Sequence, residues 1–126
     1  MADGDVPEQM QAAAFDEFGG PEVITPRILP VPQIADDEVL IKVWSAGVGV
    51  WDALTREGAL VPEGSTFPIV PGAEAAGSVA AVGRQVTNVA VGDVIYVYGY
   101  TRPKGGFYAE YARTGTAGIA NSPGGG

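Results

Sequence analysis

Nineteen glycines and ten prolines are spread through 126 residues, and they cut the chain into short pieces. Glycine enters turn conformations at little steric cost, and proline cannot donate to a hydrogen-bond ladder. What lies between the breaks has the length of strands, not of long helices. Met10–Asp16 reads as a first strand, ended by Gly19-Gly20-Pro21. Glu22–Pro30 reads as a second extended piece, and three prolines between Pro26 and Pro32 put an edge or a bend there. Asp36-Asp37 is a turn. Glu38–Ser45 is the best strand pattern, with Ile41, Val43 and Ser45 alternating against Lys42, Trp44 and Ala46. Val50–Glu57 is the one plausible helix. Its Asp52 and Arg56 have the spacing of a surface ion pair, and Gly58 can close its end. Further strands fall near Glu74–Val82, Val94–Tyr98 and Gly106–Arg113. The expected fold is mainly β, a partly open barrel with one or two short helices. Residues 1–8 are expected to be a flexible N-terminus, 9–113 the folded domain, and 114–126 a flexible Gly/Pro-rich tail.

Composition narrows the chemistry. Apolar residues make up 46% of the chain, enough for a core. No apolar run nears the ~20 residues of a membrane helix, so no membrane partner is expected. Cysteine and histidine are both absent. That removes disulfides, thiolate and imidazole metal ligands, and His-dependent nucleophilic triads. It also fits a cytoplasmic location. Acid–base work falls to Asp, Glu, Tyr, Lys or water. The net charge of −8 lies in residues 1–40, which hold nine acids against Arg27 alone, while residues 41–126 balance at six of each. With no basic face to meet phosphate, nucleic-acid binding is not expected.

Two carboxylates stand out. Glu74 interrupts an apolar run, where an unpaired charge is costly. It either holds a loop by accepting hydrogen bonds or faces a ligand. Asp52 is either half of a helix-surface pair with Arg56 or a contributor to a cleft. Trp44 and Trp51 read as packing or rim residues. Tyr96, Tyr98 and Tyr100 alternate along one strand, with Phe107, Tyr108 and Tyr111 soon after. They form either barrel packing or an aromatic patch for a planar ligand or a partner. Ser45, Ser65 and Ser78 have no histidine to activate them.

Several stretches, in order, carry a resemblance. They are Ala12-Ala13-Ala14-Phe15-Asp16-Glu17-Phe18-Gly19-Gly20-Pro21-Glu22-Val23, the strand Glu38–Val43, and Gly47-Val48 with Asp52, Arg56 and Gly58. Pro71-Gly72-Ala73-Glu74-Ala75-Ala76-Gly77 leads on to Gly83, and Val91-Gly92-Asp93 and Gly105-Gly106-Phe107-Tyr108-Ala109-Glu110-Tyr111 follow. Together they resemble the GroES-like catalytic domain of the medium-chain dehydrogenase/reductase superfamily, of the zinc-independent quinone oxidoreductase type. The resemblance covers roughly residues 12–113. It implies a domain that shapes the substrate side of a cleft, with NADPH brought by a Rossmann domain and a quinone or enone as acceptor. Zinc members carry a Cys ligand at the position of Gly49 and a His ligand at Ala73, so no metal is expected. Zinc-independent members often carry Asn at the position of Gly49 and Tyr at Leu54, and neither is present. The resemblance makes Gly49, Trp51, Asp52 and Glu74 the expected substrate-binding residues and names no catalytic residue.

The chain stops before a βαβ unit, so it reads as truncated ahead of the cofactor domain and is expected to bind no cofactor alone. Thr114-Gly115-Thr116-Ala117-Gly118-Ile119-Ala120 only faintly resembles a phosphate loop. Two other readings stand beside that of a reductase domain. One is a stand-alone small-molecule-binding or non-redox enzyme, and the other is an oligomeric interaction module. Unpaired strand edges lead to an expected homo-oligomer, with Val94–Tyr100 as the contact.

Overall fold

A computed structural model of the chain describes residues 6–99 and 106–121. Seven strands and one α-helix appear there: β1 Gln9–Ala14, β2 Thr25–Pro30, β3 Glu38–Ala46, α1 Val50–Glu57, β4 Glu74–Val82, β5 Val94–Tyr98, β6 Tyr111–Gly115 and β7 Ile119–Asn121. A single 3₁₀ turn spans Pro21–Val23, so the expected strand from Glu22 begins only at Thr25. Proline at the head of that turn favours its helical φ. The first strand ends at Ala14, two residues early, because Phe15 leaves the ladder to bridge Ile69.

β1 and β2 form an antiparallel pair, and the other five strands form a sheet in the order β6-β3-β4-β5-β7. Its inner face carries Val39, Ile41, Val79, Ile95, Val97, Phe107 and Ala112, all buried in one cluster. Its outer face is half covered. Leu40, Ala80 and Tyr111 pack under Met10 and Ala12 of β1, while Tyr96 and Tyr98 stay exposed. The aromatic residues therefore split. Phe107 and Tyr111 are barrel packing, and Tyr96 and Tyr98 are a surface patch. Tyr100 lies outside the described residues.

The residues from Thr114 onward are not a linker as far as Asn121. Thr114 is buried in β6, and β7 pairs with β5 through Ile95–Asn121, Tyr96–Ala120 and Val97–Ile119. The expected phosphate-loop lookalike is thus the end of β6, a turn and β7. β6 and β7 are the two outer strands of the sheet, yet only Thr116–Gly118 joins them. Across a flat five-stranded sheet they would lie about 19 Å apart. The Gly115–Ile119 link reaches about 14 Å at full extension. The sheet must therefore curl until its outer strands approach. A methyl group added at Gly99, just past β5, would lie 3.5 Å from Thr114 Oγ1 of β6. This is the partly open barrel. It also changes the expected contact surface, because β7 already occupies the free edge of β5.

Candidate functional site

The helix α1 is built inside out. It buries Asp52 and Thr55, while Val50 and Trp51 face solvent with Trp51 at 42% exposure. Helices normally bury their apolar stripe. Here the buried polar groups are satisfied by hydrogen bonds. Thr55 Oγ1 donates to the Trp51 carbonyl one turn back at 2.9 Å. Gly58 ends the helix in the left-handed conformation, as its sequence position implies.

Asp52 is not the partner of Arg56. Its carboxylate is 8% exposed and accepts three hydrogen bonds. They come from the Gly49 N–H (3.0 Å), the Gly72 N–H (3.0 Å) and the Tyr108 hydroxyl (2.8 Å). Arg56 instead donates to the Gly19 carbonyl at 2.6 Å and lies 3.6 Å from Glu57. One carboxylate thus ties the helix start, the Pro71-Gly72 turn and the segment before β6. Gly72 sits at φ +115°, and a Cβ there would lie 2.7 Å from the Phe107 nitrogen. Only glycine lets that turn lie so close to the Phe107–Tyr108 backbone.

Burial, then the hydrogen bond to Asp52, raises the Tyr108 phenol well above its ordinary value of 10.0. The sign follows directly. The unfolded phenol ionises first, so the stability this contact gives is present below about pH 10 and fades as pH rises beyond it. Urea titrations from about pH 9 to about pH 11 are expected to show falling stability, with a shallower fall in Tyr108→Phe. Equal slopes would mean that Tyr108 is not the group being titrated.

Glu74 opens β4 two residues after Gly72. It accepts a hydrogen bond from the Tyr96 hydroxyl, and Gly47 packs against its side chain. The Tyr96 phenol is raised, first by that bond and then by burial, the Glu74 charge and Tyr98. So Glu74 accepts a hydrogen bond, as one of its two expected readings had it, and the donor is a side chain of the neighbouring strand β5. Gly49 begins α1 with extended backbone, and a Cβ there would meet nothing nearer than Trp51 Cδ1 at 3.9 Å. Its chain neighbours Val48, Val50 and Trp51 are exposed. The four expected site residues fall in one region of chain, along the start of α1 and the turn into β4. Sequence reasoning missed Tyr108 as the partner of Asp52. The signal was its place directly after Phe107, since neighbours in an extended segment point to opposite sides.

Residues 35–124 match the family model described as the alcohol dehydrogenase GroES-like domain. The chain belongs to that family. Among its curated relatives, an NADPH-dependent alkenal/one oxidoreductase of Arabidopsis thaliana chloroplasts is 38% identical over 96 residues, covering 75% of this chain and 25% of the relative. A quinone oxidoreductase of Lama guanicoe is 35% identical over 118 residues, covering 91% and 34%. The structure of a quinone oxidoreductase from Coxiella burnetii superposes with a TM-score of 0.80 at 29% identity, covering 91% of this chain and 37% of that one. The chain spans about a quarter to a third of the length of these proteins.

Zinc does not fit this GroES-like domain. It has no Cys or His, and no three acidic side chains gather to hold a metal among the described residues. At the start of α1 the Gly49 N–H is already taken by the Asp52 carboxylate, so this helix N-terminus presents a negative group. No helix among the described residues is long and apolar enough to cross a membrane.

Proposed function

We propose that this domain forms the substrate side of a cleft that receives a planar conjugated carbonyl compound, a quinone or an enone. The observation that carries this reading is the exposure of apolar Val48, Val50 and Trp51 beside Gly49, on a helix whose buried residues are Asp52 and Thr55. The activities of the relatives support the substrate class. Reducing equivalents would come from NADPH held by residues other than those described here. Gly49 leaves room for the flat ring, and Trp51 flanks it. Asp52 holds α1 against the Gly72 turn, so this surface keeps its shape. Glu74 and Tyr96 offer polar contacts for a substrate oxygen. The exposed Tyr96 and Tyr98 favour a second reading, an interaction module in which copies of the chain meet through this face instead of the β5 edge.

Titration with 9,10-phenanthrenequinone, followed by tryptophan fluorescence, tests the first reading. Saturable quenching is expected, weakened at least tenfold in Gly49→Leu, which fills the opening. The same chain is expected to bind NADPH more weakly than about 1 mM. Quinone quenching that Gly49→Leu leaves unchanged would overturn the cleft assignment. Micromolar NADPH binding, about −8 kcal/mol, would overturn the cofactor assignment.

A further inference from the structure

A concavity of about 430 Å³ is lined in part by Tyr108. Its floor is the seam where β1 meets the segment before β6. There the Ala13 N–H donates to the Tyr108 carbonyl (2.8 Å), the Glu110 N–H to the Gln11 carbonyl (3.1 Å), and the Val43 N–H to the Glu110 carbonyl (2.9 Å). These backbone groups are satisfied, so the floor is fixed and has little polar demand of its own. The walls include Trp44, Tyr108, Glu110 and Ile24.

Three features of these walls point one way. Trp44 lies where β3 slips its register against β4, between Val43 and Ser45, and it is 59% exposed. Strand alternation puts Trp44 on the same outward face as exposed Lys42, so the indole is presented to solvent. Glu110 is exposed, and its Oε1 accepts the Gln11 N–H at 2.7 Å. Its second oxygen has no partner among the described residues. Among the described residues no Lys or Arg lines the groove. An aromatic face beside a carboxylate is a pairing that recognises an organic cation. An anion would be repelled, and a neutral apolar ligand would leave the carboxylate against its surface.

We propose that this groove binds a small organic ammonium ion, with its charge between the Trp44 indole face and Glu110. The site is separate from the Gly49 opening and does not depend on the function proposed there. Tyr108 adjoins both, since its ring lines the groove and its hydroxyl is turned to Asp52.

Choline is the probe, and 3,3-dimethylbutan-1-ol, its uncharged carbon analogue, is the control. The full chain has two tryptophans, so Trp51→Phe leaves Trp44 as the only reporter. Saturable change of its fluorescence with choline, and none with the alcohol, is expected. Calorimetry of Trp44→Ala should show choline affinity lowered about tenfold, the size of a single cation–aromatic contact. Glu110→Gln keeps the acceptor for Gln11 and removes the charge, so it should lower affinity several-fold without loss of fold. Equal binding of choline and the alcohol would overturn the proposal. So would absence of saturable choline binding, or unchanged affinity in both a folded Trp44→Ala and Glu110→Gln.

Discussion

Asp52→Ala is expected to cost about 3 kcal/mol, because it strands the Gly49 and Gly72 amides and the Tyr108 hydroxyl together. Each orphaned buried donor costs about 1–3 kcal/mol, and water can reach the Gly49 end more easily than the buried Gly72 end. Asp52→Asn keeps the shape and presents an amide NH₂ toward donors, so about 2 kcal/mol is expected. Tyr108→Phe removes one bond and should cost about 1 kcal/mol. A double-mutant cycle between Asp52→Ala and Tyr108→Phe should be strongly non-additive, since the second change then removes a group already unpaired. Urea unfolding followed by circular dichroism measures all four chains. A loss of under half a kcal/mol in Asp52→Ala would show that the three donors find water.

Phe107→Ala is expected to cost about 4 kcal/mol. Phe107 is 1% exposed and plugs the inner face of the sheet beside Val39, Ile41 and Val97. Domains of this kind hold only about 5–15 kcal/mol in total, so much of the population would unfold on modest warming. Tyr96→Ala is the matched comparison. Tyr96 is 47% exposed, and its loss should cost under about 1 kcal/mol. Thermal melts of the two variants side by side decide the matter. Equal losses would place Tyr96 in a packed surface and Phe107 in a yielding one.

That contrast shows how far the sequence could be read. β4, β5 and α1 were legible to the residue, because hydrophobic alternation and flanking glycines mark their ends locally. The family resemblance was legible because its glycines keep order and spacing. The environment of Asp52 was not. A carboxylate four residues before an arginine has the signature of a surface pair, and only tertiary contact with Gly72 and Tyr108 turns it inward. The inside-out helix hides for the same reason, since Val50 and Trp51 look like core residues by composition. The strand at Ile119–Asn121 is three residues long and lies in a run of small residues, so no periodicity announces it. Its place is set by pairing with β5, a partner far back in the chain.

The short Thr116–Gly118 tether between opposite borders of the sheet also orders events in time. On a ribosome, β3 emerges early, yet its neighbour β6 arrives only when Tyr111, the partner of Lys42, has been made. Until β7 follows, the curl has no lock, and β5 presents an unpaired backbone. The nascent sheet therefore stays an open ribbon until β7 is available, and it curls only after Asn121 has cleared the exit tunnel. Proteolysis of arrested nascent chains should show protection rising steeply at that length, with β7 acting as the clasp for the strands made before it.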